Sequence, residues 1–310
     1  MARAAVPVRF DTTGPYEIDQ DDEAFARPAG APLLARVYRP RGEPAAPLGA
    51  VVYVHGGAWA RLDRTADPIM CGALAAAGLV VVALDFRQAP DHRYPTASAD
   101  VAAGVRYTRA HARRLGIDPS RIGMLGSSSG GLLSLLHAVK PAAPEHAGTP
   151  ILMPDGRLDA APTDARVAFV AALYPVADPL ARYRYARSRE DEPPPPSGFD
   201  AKRLIASHRA FFADEAAMAA VSVTRIVQAG EATALPPVWV AQPDQDDNVP
   251  AGITEAFVAA YRQAGGRVEQ EHFPDARHGF VQQAGPDTDK CIAQVKDFIG
   301  RQLSQRGPSA

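Results

Sequence analysis

Hydrophobic positions in this chain gather into short continuous runs. Ala50-Val51-Val52-Tyr53-Val54 is one, Leu79 to Leu84 a second, and Ile122 to Leu125, Val167 to Tyr174 and Val238 to Gln242 follow. A run of four to eight apolar residues without polar alternation suits a strand buried on both faces, as in a parallel sheet covered by helices. Helical stretches separate the runs: Asp67 to Ala77 ending at Gly78, Pro95 to Leu115 stopped by Gly116, Gly130 to Val139, Ile253 to Ala264 closed by Gly265-Gly266, and Asp289 to Leu303. Leu33 to Tyr38 and Val268 to Phe273 read as further strands, and residues 1–30, with the acidic cluster Asp19 to Glu23, as polar and irregular. Strand and helix alternate, which predicts an α/β fold with a mostly parallel sheet and helices on both faces.

Two stretches break the alternation. Pro141 to Thr163 is rich in Pro, Gly, Ala and Asp, and reads as a short insertion. Residues 178–235, between the fourth and fifth buried runs, hold two helical pieces near Ala201 to Ala213 and Asp214 to Val223 and a stiff Pro193-Pro194-Pro195-Pro196 segment. Loops at the carboxyl ends of parallel strands surround the active site of such folds, so this insertion is expected to cap it. The whole chain, 1–310, reads as one domain.

Composition narrows the function classes. The chain is 46% hydrophobic over 310 residues, enough for a large core, and its formal net charge is −2. That balance gives no electrostatic reason to expect nucleic acid or an anionic membrane as partner. No window approaches the roughly 18 apolar residues of a membrane span. The first residues hold no apolar run of a secretory signal, and Cys71 and Cys291 read as unpaired thiols in helical stretches, so cytoplasmic residence is expected. No cysteine or histidine spacing suits a metal, no glycine-rich phosphate loop follows the first strand, and no cofactor is expected.

The chemistry lies in three segments. Ile122 to Leu125 runs directly into Gly126-Ser127-Ser128-Ser129-Gly130-Gly131 and then a helix. A Gly-x-Ser-x-Gly between strand and helix is a nucleophile elbow, and Ser128 is the central serine of three. His55-Gly56-Gly57-Ala58-Trp59 follows the strand Ala50 to Val54, and adjacent glycines free backbone N–H groups to meet a developing oxyanion. His278, in Arg277-His278-Gly279-Phe280 after the last strand, has the position of a general base. The other histidines read as structural or exposed: His55 orients the glycine turn, His272 and His137 pack, and His92, His111, His146 and His208 lie at the surface. An acid to orient His278 is expected in Pro243-Asp244-Gln245-Asp246-Asp247-Asn248-Val249-Pro250, with Asp246 first, Asp247 second and Asp244 third. Trp59, Tyr183, Tyr185, Phe211 and Phe212 either line an apolar pocket or pack the insertion onto the core.

Taken in order, the His55 turn, Asp85-Phe86-Arg87-Gln88-Ala89-Pro90, the elbow, Asp246 and His278 resemble the α/β-hydrolase superfamily, and within it the hormone-sensitive-lipase-like esterases. The similarity covers about residues 33–303. It implies an α/β-hydrolase fold and a triad of Ser128, Asp246 and His278. It also implies an oxyanion hole from Gly56, Gly57 and the backbone of Ser129, with Asp85 to Pro90 and Tyr94-Pro95 as a structural loop beside it. Ser127 and Ser129 stand where that family usually has Asp and Ala. Asp246 to Pro250 looks instead like the Asp-x-x-Val-Pro segment of feruloyl-esterase-like and dipeptidyl-peptidase-like hydrolases. The resemblance implies a carboxylesterase acting on a small to medium soluble ester. Arylformamidases share the His-Gly-Gly-x-Trp turn, so amide or formamide cleavage is the alternative. A non-catalytic binding protein is the reading from another class, and the assembly is left between monomer and homodimer.

Overall fold

A computed structural model of the chain describes residues 7–28, 31–159, 164–193, 195 and 197–304. Among them ten strands form one sheet: β1 (Ile18–Ala26), β2 (Leu33–Pro40), β3 (Leu48–Val54), β4 (Val80–Leu84), β5 (Ile117–Ser127), β6 (Ile151–Leu152), β7 (Leu158–Asp159), β8 (Val170–Leu173), β9 (Val238–Pro243) and β10 (Val268–Phe273). Their spatial order is β10-β9-β8-β5-β3-β4-β2-β1-β6-β7. From β10 to β4 every pairing is parallel, and from β4 to β7 every pairing is antiparallel.

The uninterrupted apolar runs have the cause expected of them. Along β3, Ala50, Val52 and Val54 join the core on one face of the sheet while Val51 and Tyr53 join the core on the other. The helices that cover the two faces are α1 (Pro68–Ala76), α2 (Thr96–Ala110), α3 (Ala112–Leu115), α4 (Ser128–Val139), α5 (Pro179–Ser188), α6 (Ala201–Phe211), α7 (Glu215–Ala220), α8 (Val223–Gln228), α9 (Ala251–Gln263) and α10 (Pro286–Ser304). α1 and α10 pack on one face, and α2, α4 and α8 on the other.

Three departures from the sequence reading have physical reasons. The acidic cluster is not irregular: it lies on β1, paired antiparallel with β2. Its aspartates face arginines across the strands, with Arg36 Nε 2.7 Å from Asp22 and Arg41 Nη2 2.7 Å from Asp19. Cross-strand ion pairs, each worth roughly 0.2–1 kcal/mol, replace the apolar alternation that marks a strand. The stretch Pro95 to Leu115 breaks at His111 into α2 and α3. The insertion after β8 holds four helices rather than two. Each begins at a residue whose side chain accepts from a first-turn amide: Asp178 from Ala181, Asp200 from Arg203, Asp214 from Ala217 and Ser222 from Arg225. α5 is hidden in the sequence because its arginines and tyrosines give little apolar periodicity. Pro194, Pro196 and the end of the shorter insertion, 160–163, lie outside the described residues.

Candidate active site

Ser128 sits where β5 turns sharply into α4, with φ +53°, in the left-handed region. A non-glycine residue held there costs on the order of 1–3 kcal/mol and persists because its surroundings impose it. The flanking glycines show how. A Cβ on Gly126 would lie 2.4 Å from the Gly130 carbonyl oxygen, and a Cβ on Gly130 would lie 2.2 Å from that of Val54. Strand and helix therefore touch backbone to backbone, and the turn between them is forced.

The three serines point to different places. Ser128 Oγ is 2.9 Å from His278 Nε2, and His278 Nδ1 is 2.8 Å from Asp246 Oδ2. Asp246 is fully buried at its carboxylate, and its other oxygen accepts from the amides of Asn248 at 2.7 Å and Val249 at 2.8 Å. With a carboxylate as acceptor, His278 Nδ1 carries the proton and Nε2 faces the serine with its lone pair. Ser127 turns the other way, into the core, and Ser129 Oγ accepts from the Trp59 amide at 3.4 Å. The competing aspartates are engaged elsewhere. Asp244 meets the exposed His272 at 2.7 Å, and Asp247 accepts from Ser197 and stands 3.7 Å from Arg189.

The glycine turn after β3 lies against this serine. A Cβ on Gly56 would stand 3.3 Å from Ser128 Cβ, and one on Gly57 would stand 2.0 Å from the Arg61 carbonyl oxygen. Gly57, Ala58 and Trp59 run consecutively at φ +101°, +53° and +60°. Ser129 is the second residue of α4, so its amide belongs to the first turn and has no acceptor within the helix. The strained turn is clamped from outside. Trp59 is fully buried, its indole stacked on Phe211 at 5.0 Å and met edge-on by Phe212 and His208. The Trp59 carbonyl accepts from Ala89, which ties in the loop Asp85 to Pro90. Burial lowers His55 to about 4, keeping it neutral; its Nδ1 is 2.7 Å from the Gly56 carbonyl oxygen, and its ring stacks on Phe86.

A sequence model described as the alpha/beta hydrolase fold matches residues 51–282, about three quarters of the chain, from within β3 to beyond His278. The chain belongs to this family. Over 125 residues, 40% of its length, it is 37% identical to an ethyl acetate hydrolase of Pseudomonas putida, of which the match covers 39%. Over 93 residues it is 43% identical to the carboxylesterase NlhH of Mycobacterium tuberculosis, covering 29% of each chain. The matched segments thus span well under half the length of these relatives. The solved structure of EstE1, a thermostable carboxylesterase cloned from a metagenomic library, aligns with 95% of this chain and 93% of its own at TM-score 0.72 and 21% identity, which establishes the fold.

Several residues around this site carry no signal in the sequence. Ser127 Oγ donates to Asp67 Oδ2 at 3.3 Å and lies 3.0 Å from the Tyr53 hydroxyl. Asp67 is 1% exposed, and burial raises its carboxyl to about 6. Tyr174, immediately after β8, packs its ring edge-on against His278 at 4.7 Å. Arg182 of α5 is buried, with Nη2 and Nε on the side-chain and backbone oxygens of Asn248. Asp67, Tyr174 and Arg182 belong to no motif, and long-range packing alone brings them beside the elbow and His278.

One expectation is corrected, and one open alternative is decided. His111, His146 and His208 are buried rather than at the surface, and burial lowers all three, His208 to about 3. Of the five aromatics, Trp59, Phe211 and Phe212 are packing residues in the core, and the cavity at Ser128 is lined instead by Tyr174 and Phe199. Among the described residues no helix is long and apolar enough to cross a membrane, and no group of three His, Cys, Asp or Glu side chains could hold a metal ion.

Proposed function

We propose that this hydrolase cleaves carboxylic esters through an acyl-enzyme formed on Ser128. The observation that carries the reading is the continuous chain of hydrogen bonds from Ser128 Oγ through His278 to the buried Asp246. His278 Nε2 takes the serine proton as Oγ attacks the carbonyl carbon, and the carbonyl oxygen becomes an oxyanion. The amides of Gly56, Gly57 and Ser129 receive that oxyanion; a preorganised donor of this kind is worth about 3 kcal/mol. On collapse, the alcohol leaves with the proton from Nε2. Water then attacks the acyl carbon, gives a proton to Nε2, and Ser128 leaves with it. Asp246 holds the imidazole in the tautomer this requires and stabilises the imidazolium.

The relatives named as ester hydrolases support an ester bond as the target. The cavity of about 270 Å³ supports a small to medium substrate, and its lining by Arg182 of α5 and by Arg203 and Leu204 of α6 supports a cap formed by the insertion. The two buried, unpaired thiols support a reducing, cytoplasmic location. The test is Ser128→Ala against short p-nitrophenyl esters, with fluorophosphonate labelling of the wild type. Turnover and labelling should both vanish in the variant; a variant with wild-type turnover refutes the nucleophile. Formyl-aryl amides in the same panel, if cleaved faster than every ester, would reassign the bond.

A further inference from the structure

The cavity at Ser128 is unusually cationic for one that would hold a neutral ester. Arg61, Arg182, Arg203 and Arg277 all line it, and the one acid lining it, Asp247, is already engaged by Ser197 and Arg189. Arg61 and Arg277 are exposed and form no ion pair among the described residues, and water screens them. Arg203 is half-buried, with Asp200 3.9 Å away.

Arg182 is different. It is 1% exposed, and no carboxylate pairs with it. Asn248 satisfies Nε and Nη2, while Nη1 is buried and has no hydrogen-bond partner. The nearby Asp246 carboxylate is spent on His278 and the amides of Asn248 and Val249. Burial lowers this guanidinium only to about 10, so it is charged at neutral pH. The Asp246 charge supports this cation, but a buried charged N–H group left without an acceptor still carries the full cost of its desolvation. Arg182 is part of the wall of the cavity that contains Ser128 and His278, and Nη1 is the part of its guanidinium without a partner.

We infer that the substrate supplies the missing acceptor: this hydrolase acts on esters that carry a carboxylate within reach of the reacting carbonyl, and the Arg182 guanidinium binds that carboxylate. This rests on the ester reading above and adds the chemical class. Arg203 and the exposed Arg61 and Arg277 draw the anion in, while Arg182 fixes its position. Hydrogen bonds to a charged partner favour the anionic substrate by roughly ten- to a hundredfold.

The test compares matched esters by NMR. Ethyl hydrogen succinate against ethyl butyrate places the charge on the acyl side, and acetoxyacetate against its methyl ester places it on the alcohol side. In at least one pair the wild type should favour the anion by about tenfold or more in kcat/KM. In Arg182→Gln and Arg182→Lys that ratio should fall toward one in the same pair. A purely structural Arg182 would lower both members of a pair equally and leave the ratio intact, which overturns the inference. So does a wild type that prefers the neutral ester in both pairs, a result independent of whether the variants fold. If no ester is turned over and fluorophosphonate does not label Ser128, it is the ester reading itself that fails.

Discussion

Replacing Asp67 with asparagine measures the cost of a carboxyl buried beneath the elbow. Asp67 is 1% exposed, and one of its oxygens, Oδ1, has no partner. Its carboxyl is raised from 3.8 to about 6, chiefly by burial, against the opposing hydrogen bonds of Ser127 and Gln282. A raised carboxyl pKa means that the folded protein holds this proton more tightly than the unfolded chain. The group is therefore least costly below about pH 4, its cost grows as the pH rises, and the full penalty is reached above pH 6. Two units at 1.36 kcal/mol each make that penalty about 3 kcal/mol, of which about 2 kcal/mol appears between pH 4.5 and pH 8. Asparagine keeps the shape and an acceptor for Ser127 without the ionisation. The variant should gain stability relative to wild type as the pH is raised, by about 2 kcal/mol over that interval. Urea unfolding of both proteins at pH 4.5, 6 and 8 measures the difference. A difference that stays flat with pH, or one that moves in favour of the wild type at pH 8, would refute the reasoning.

Four further substitutions probe the backbone and the acid. Gly130→Ala drives a Cβ into the carbonyl oxygens of Val54 and His55, so it should cost about 3 kcal/mol or more in an unfolding titration. Gly252→Ala in the first turn of α9 meets nothing within 4 Å and should instead stabilise by about 0.4–1 kcal/mol. Asp246→Asn should lower kcat on a p-nitrophenyl ester by about 10⁴ through the wrong imidazole tautomer. Asp244→Asn, which removes an exposed partner of His272, should leave kcat within about twofold; equal losses in the two variants would contradict the assignment of the acid.

Much of this protein is dictated locally. A strand buried on both faces needs apolar residues at every position, so β3, β4, β8 and β9 are legible as runs. A strained strand-to-helix turn needs glycines where backbones touch, so Gly126 and Gly130 mark Ser128 in the sequence alone. β1 escapes notice because its partners are arginines on the next strand rather than a core. Between Asp244, Asp246 and Asp247 the sequence offers an order of preference but no decision, because three acids in four residues have equal local chemistry. Their partners separate them: Asp246 meets His278, 32 residues away, whereas Asp244 meets His272 and Asp247 meets Ser197. The same holds for Asp67, Tyr174 and Arg182. Each is unremarkable among its neighbours, and each acquires its character from burial beside groups that are distant in sequence. Spacing and periodicity report what a segment needs from its own backbone. The environment of a side chain, and so its charge and its partners, is set by elements that only folding brings together.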